Sequence, residues 1–210
     1  MNRRTSVLGM MGLVGLVGLI GAALGMTAGT FDQGKAKLGE KAPNFTLTDT
    51  NGQERSLSDY KGRIVVIEWI NPECPDVRHC YQTKAMQGAY KKVKQLDKGV
   101  AWLAINSTQG TTAQANKMWI SKYELKYPFL LDKRGMVGRL YDARRTPHMF
   151  VIDKEGVIRY TGAIDDNRLL HKRPEEITNY VVNAVSQLVE GETLTPNSTK
   201  PYGCTIKYLR

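Results

Sequence analysis

Arg63-Ile64-Val65-Val66-Ile67-Glu68-Trp69-Ile70, running into Asn71-Pro72-Glu73-Cys74-Pro75-Asp76, is the stretch on which the fold turns. A short β-branched apolar run of this kind is how a strand buried on both faces reads, and such strands occupy the centre of parallel sheets. Asn71-Pro72 breaks the run, and a helical pattern follows from about Asp76 to Leu96. Cys74 therefore falls where a strand ends and a helix begins, the place where open α/β sheets put their chemistry. Unpaired N–H groups at a helix start favour an anion, and a thiolate is an anion. Pro75 suits the first helical position because its missing N–H had no partner to lose. The plain alternative is that Cys74 is a small apolar filler, but a proline next door and a helix start are poor surroundings for filler.

Working outward, the 210 residues suit one domain with extensions. The formal charge of +10 is spread along the chain without a dense basic run, which argues against nucleic acid and for a solvated surface. Three cysteines, Cys74, Cys80 and Cys204, are too few for a disulfide framework and lack zinc-finger spacing. Residues 1–29 read as a targeting segment, either a cleaved signal peptide or an N-terminal membrane anchor. Arg3-Arg4 is its basic front, Val7 to Gly25 is apolar, and small residues near Gly25 and Gly29 suit cleavage. Either form places the remainder outside the cytoplasm, in a periplasmic setting where thiol redox state is managed. Residues 30–40 read as linker, 41–190 as the folded domain, and 191–210 as a tail carrying Cys204.

Within the domain, Phe45 to Thr48 alternates as a strand, and Asn51-Gly52 is a turn pair. Ser56 to Gly62 makes a single helical turn ahead of the Ile64 strand. Val100 to Ile105 is the next strand, and Thr111 or Thr112 can cap a helix whose apolar positions are Ala115, Met118 and Trp119. Tyr127 to Leu131 is extended, and Met136 to Tyr141 is a short helix. Met149 to Ile152 and Val157 to Tyr160 flank the turn at Asp153-Lys154-Glu155-Gly156. A last helix spans Pro174 to Leu188, ended by Gly191. This order gives an α/β fold of thioredoxin-like type: three layers, with a mixed central sheet and helices on both faces.

Several segments together resemble the redoxin superfamily, which holds peroxiredoxins, alkyl hydroperoxide reductases and membrane-linked thiol–disulfide thioredoxins. They are Ala42-Pro43-Asn44-Phe45-Thr46-Leu47-Thr48-Asp49, Ser56-Leu57-Ser58-Asp59-Tyr60-Lys61-Gly62, Glu73-Cys74-Pro75, Thr146-Pro147-His148 and Phe150-Val151-Ile152-Asp153. With Gly162-Ala163-Ile164-Asp165-Asp166 and Pro201-Tyr202-Gly203-Cys204 the chain resembles an exported, peroxiredoxin-like subgroup. The resemblance implies a thioredoxin fold and thiol-dependent reduction of hydroperoxides or disulfides, without cofactor or metal. It implies a peroxide or disulfide substrate and a thiol electron-donor protein as partners. Three departures stand out. Val77 occupies the second-cysteine position of thioredoxins. Asn71 and Ile67 stand where peroxiredoxins carry Thr or Ser and Pro. Thr146-Pro147 stands near the place of the peroxiredoxin arginine, and in thioredoxins that proline is cis and packs on the reactive cysteine.

On this reading Cys74 attacks as a thiolate, leaving a mixed disulfide or sulfenic acid that a second thiol resolves. Arg78, one turn along, favours the charged form; Glu73 and Asp76 oppose it. A straight helix would hold the Cα atoms of Cys74 and Cys80 roughly 9 Å apart, beyond disulfide range. Cys204, beside Pro201 and Gly203 in the tail, is the preferred resolver, with a free tail thiol as its plain alternative. Thr146 and Pro147 form the floor of the site. Arg145, or Arg144, is expected to approach Cys74 and stabilise developing charge. His148 is either a proton donor or a satisfied strand histidine. The competing function is an exported copper-binding or redox-inert thioredoxin-like module, for which Cu(I) would want two thiolates. The oxidoreductase reading requires the Cys74 sulfur to meet solvent.

Overall fold

The computed structural model describes residues 34–168 and 171–209. The leader, 1–29, lies outside the described residues. Among the described residues no helix is long and apolar enough to cross a membrane. The chain runs β1 (Thr46–Asp49), β2 (Glu54–Ser56), a 3-10 turn at Leu57–Tyr60, β3 (Val65–Trp69), α1 (Pro75–Gln82) and α2 (Ala85–Leu96). It continues with β4 (Ala101–Asn106), α3 (Ala113–Lys122), β5 (Phe129–Leu131), α4 (Met136–Leu140), β6 (Arg145–Thr146) and β7 (His148–Ile152). Then come β8 (Ile158–Gly162), a 3-10 turn at Pro174–Glu176, α5 (Tyr180–Glu190) and β9 (Cys204–Thr205).

One sheet has the order β2-β1-β5-β4-β3-β7-β8. β3, β4 and β5 are parallel, with Val65 beside Ala101 and Trp69 beside Ile105; β7 and β1 join this core antiparallel. All five residues of β3 are buried, as its apolar run foretold. Its alternate side chains part company. Ile64, Val66 and Ile70 pack with Val77, Met86, Val93, Trp119 and Val185 from α1, α2, α3 and α5. Val65, Ile67 and Trp69 pack with Val137 of α4, Tyr141, Phe150 and the tail residue Ile206. The period-2 geometry of a strand thus feeds two cores, and the three-layer mixed-sheet expectation holds.

Three local expectations are corrected. The helix expected from Asp76 to Leu96 is two helices, because Lys84 takes a left-handed φ of 60° and Thr83 turns its hydroxyl back to the His79 carbonyl at 2.9 Å. On α3 the buried residues are Asn116 and Trp119, while Met118 is 65% exposed. Asn116 is held inward by polar partners: it accepts from Asn106 Nδ2 at 3.1 Å and donates to the Thr112 carbonyl at 2.7 Å. Thr112, one of the two residues considered as its cap, accepts from Ala115 N at 3.1 Å. The last helix starts at Tyr180 instead of Pro174, because Asn179 caps it by accepting from Val182 N at 2.9 Å. Gly191 ends it with φ 74°, as expected. At its described end the expected linker is tied to the domain, with Ala36 N donating to Leu140 O and Gly39 N to Ile158 O.

Candidate active site

The β3–α1 connection is built to deliver one sulfur. Asn71 Oδ1 accepts from the Glu73 amide at 3.0 Å, and Asn71 O accepts from the Cys74 amide at 3.0 Å, closing a tight turn after Ile70. Cys74 then stands at the N-cap of α1 with extended backbone (φ −71°, ψ 125°), Pro75 opens the helix, and Arg78 N donates to Cys74 O at 2.9 Å. Strand end, turn and helix start thus fall where the sequence puts them.

Three neighbours close on the Cys74 sulfur. It donates to Thr146 O at 3.0 Å, accepts from the Cys204 amide at 3.4 Å, and lies 3.8 Å from Asp76 Oδ2. The Cys74 and Cys204 sulfurs and an Asp76 carboxylate oxygen all lie within 4.8 Å of one another. Cys204 arrives across 130 residues because β9 pairs antiparallel with β6, Thr146 opposite Cys204. The Thr146-Pro147 peptide is cis. Gly203, with φ +95°, makes the closest approach: a Cβ there would meet Thr146 O at 2.1 Å. Only glycine meets both demands. The tail is held on either side of this point. Arg145 donates to Gly203 O at 3.2 Å and to Thr205 Oγ1 at 2.9 Å. Tyr202 donates to Asp165 at 2.7 Å, and Tyr208 to Ala143 O at 2.6 Å.

These contacts bring Cys74, Cys204 and Thr146 together, with Pro147 joined to Thr146 by the cis peptide. The Arg145 guanidinium is placed on the tail strand, where it bonds Gly203 and Thr205. Arg144 pairs with Asp142 at 2.6 Å, and Arg78 folds back to Pro72 O at 2.9 Å. One requirement is not met in this conformation: the Cys74 sulfur does not reach solvent, the residue being 1% exposed. The Thr146 carbonyl and the Cys204 amide of the docked tail both close on it, and the tail brings the second thiol. Burial, the Cys74 thiol and the Asp76 charge push the Cys204 thiol up to about 12, with Lys207 pulling the other way.

The third cysteine belongs to other surroundings. Cys80 is buried in α1, 3.8 Å from the Tyr202 hydroxyl, and burial chiefly pushes its thiol up to about 12. His148 is the satisfied strand histidine: its Nδ1 accepts from Arg144 N at 3.3 Å, its Nε2 faces Thr161 Oγ1 at 3.1 Å, and burial pushes it down to about 4. A polar residue that the apolar reading of β3 passed over is Glu68. Its carboxyl, fully buried, accepts from Tyr81 at 2.8 Å and Trp102 Nε1 at 3.1 Å, and burial pushes it up to about 7. The signal was present in the sequence, since a carboxylate inside an otherwise apolar central strand has to find donors.

Residues 38–161 match the model of the AhpC/TSA family. The chain belongs to that family. Among curated relatives, it is 32% identical over 124 residues to the thiol-disulfide oxidoreductase ResA of Bacillus thuringiensis subsp. konkukian, covering 59% of this chain and 68% of the relative. It is 31% identical over 138 residues to the chloroplastic peroxiredoxin Q of Oryza sativa subsp. japonica, covering 60% of this chain and 59% of that one. Among solved structures, an uncharacterized conserved protein from Geobacillus kaustophilus superposes with TM-score 0.71 at 28% identity, over 82% of this chain and 93% of that one. A putative thiol:disulfide interchange protein DsbE from Chlorobium tepidum gives TM-score 0.51 at 26% identity, over 60% and 85%. As a member of the AhpC/TSA family with these relatives, the chain is a thiol-dependent oxidoreductase of the peroxiredoxin and thioredoxin-like class. The family match stops at residue 161, short of the tail that supplies Cys204.

Proposed function

We propose that this AhpC/TSA protein is an exported two-cysteine enzyme in which Cys74 attacks a hydroperoxide or a disulfide and Cys204 resolves the product. The observation that carries this is the meeting of the two sulfurs, within 4.8 Å and fixed by the β6–β9 pairing. In the first step the Cys74 thiolate attacks a peroxide oxygen and the alkoxide leaves as alcohol, giving a sulfenic acid; a disulfide substrate gives a mixed disulfide instead. In the second, Cys204 attacks the Cys74 sulfur, forming the internal disulfide and releasing water or the second thiol. A thiol protein then reduces the pair. Thr146 and Pro147 floor the site, and Arg145 seats the tail strand. Because Cys74 is covered, entry of substrate requires residues 203–205 to lift from Thr146; their return brings the resolving thiol. The apolar leader supports action in the periplasm, with the chain either freed or tethered to the membrane. Peptide mapping of hydroperoxide-treated protein should give a Cys74–Cys204 link. A Cys74–Cys80 link, or sulfinic acid at Cys74 with Cys204 free, would overturn the assignment.

The same trio supports a second reading. Two thiolates and a carboxylate within 4.8 Å offer a soft cation such as Cu(I) the paired sulfur it prefers. Anaerobic titration of the reduced protein with Cu(I) decides it; failure to bind one equivalent sinks that reading.

A further inference from the structure

Cys204 has to lose a proton before it can attack, and that proton needs somewhere to go. We propose that Asp76 is the base that takes the proton from the Cys204 thiol and returns it to the group leaving the Cys74 sulfur. The inference rests on the two-cysteine reading above and names a third reacting group for it.

Three observations on geometry support this role. First, the Asp76 carboxylate is 3.8 Å from the Cys74 sulfur and lies within the 4.8 Å cluster that includes Cys204. It therefore lies beside the sulfur from which a group must depart and within 4.8 Å of the sulfur that must attack. Second, Asp76 lies against the tail: a Cβ built on Gly203 would come 3.3 Å from Asp76 Cβ. Third, among the described residues the Asp76 carboxylate enters no ion pair, and unlike Asp59, Asp132 and Asp165, which also lack one, it accepts from no backbone N–H. A carboxylate in the first turn of a helix stabilises that helix, and that role alone would account for its presence. It would not account for a carboxylate within 4.8 Å of both sulfurs.

The chemistry balances. Cys204–SH gives its proton to the Asp76 carboxylate, and the thiolate attacks the sulfur of Cys74–SOH. The S–S bond forms as the S–O bond breaks, and the departing hydroxide takes the proton from Asp76 to leave as water. With a mixed disulfide the departing group is a thiolate, which takes the same proton. The charged groups facing the site are few. Asp76 comes from α1 and Lys207 from the tail, which favours the Cys204 thiolate. Arg145 comes from β6, with its guanidinium on Gly203 O and Thr205 Oγ1.

The test separates the two sulfurs. Reduced full-length protein is oxidised with diamide, so that the disulfide closes whether or not a hydroperoxide is the substrate, and closure is timed by acid quench and mass. Alkylation of Cys74 by iodoacetamide is timed separately in a Cys204→Ser background. In Asp76→Asn, closure should slow at least tenfold at pH 7 and recover as pH rises, while alkylation of Cys74 does not slow. Asp76→Glu should restore most of the closure rate. Closure of Asp76→Asn at the wild-type rate and pH dependence would overturn the proposal. So would equal slowing of closure and alkylation, which marks a structural role. If wild-type protein closes with diamide but turns over neither hydroperoxide nor disulfide, the enzymatic reading fails, and the rates still decide the role of Asp76.

Discussion

Cys80 and Cys204 are both held protonated, each pushed up to about 12 chiefly by burial, yet they stand in different chemistry. Cys80 lies inside α1 in the same apolar cluster as Cys74, with its sulfur 3.8 Å from the Tyr202 hydroxyl and outside the group formed by Cys74, Asp76 and Cys204. Cys204 lies on a two-residue strand, within 4.8 Å of a second sulfur and a carboxylate oxygen. A raised pKa alone therefore does not sort these thiols. A thiol becomes useful when a partner sulfur is in reach and the chain carrying it can move, because exchange is an in-line displacement between two sulfurs. Cys80 has rigidity without a partner; Cys204 has a partner and a short attachment.

The largest effects should come from removing the sulfurs themselves. Cys74→Ser should lose thiol-dependent turnover by a factor of about a thousand or more, read in a peroxide or disulfide reduction assay, while Cys80→Ser keeps it within about twofold. Comparable losses in both variants would erase the contrast. Cys204→Ser should leave one round of Cys74 oxidation intact and abolish the internal disulfide, with peroxide now driving Cys74 to sulfinic acid by mass. Gly203→Ala tests the seating of the strand: a Cβ at 2.1 Å from Thr146 O, on a φ of +95°, should cost about 1–3 kcal/mol locally. Disulfide closure should slow, and protease sensitivity should rise in the tail before the domain melts. A tail that remains protected in this variant would show that the contact at Gly203 does not hold it.

A smaller effect contrasts two buried groups away from the site. Glu68 titrates at about 7 in the fold against an ordinary 4.5, so the folded state binds more protons in that window and stability falls as pH rises through it. His148 titrates at about 4 against 6.5, so the folded state binds fewer, and stability falls as pH drops through that window. Between about 4.5 and 6.5 the two slopes oppose each other. Glu68→Gln should uncover a stability that rises with pH there, and His148→Asn one that falls, both measured by denaturant melts. The slope is the readout, since the amide introduced by Glu68→Gln has a single acceptor oxygen for the two donors Tyr81 and Trp102 and shifts stability at every pH. Identical slopes in the two variants would remove both assignments.

Much of the fold was legible in the chain because it depends on neighbours. The buried β3 strand, the turn at Asn51-Gly52, the cap at one of Thr111 and Thr112 and the Gly191 stop all follow from residues within a few positions of one another. The failures have local causes too, but ones that tertiary packing decides. The break at Lys84 needs a left-handed residue that a lysine does not announce, and the buried Asn116 overrode the apolar stripe on α3 by finding polar partners in the interior. Arg145 was expected at the reacting sulfur because it is near Thr146 in sequence, but a side chain points where its strand pairing sends it, and here that is toward the tail.

The sequence by itself determined the position of Cys74, because a strand end, a turn and a helix start are set by short-range preferences and by proline and asparagine at fixed offsets. It also determined the order of the main strands and helices, and its motif segments pointed to the family. Only the tertiary structure decided that Cys204 comes to the Cys74 sulfur and that the tail docks beside it. Those contacts join residues 130 positions apart through two short strands and a glycine beneath a carbonyl, and no local preference encodes a meeting at that separation.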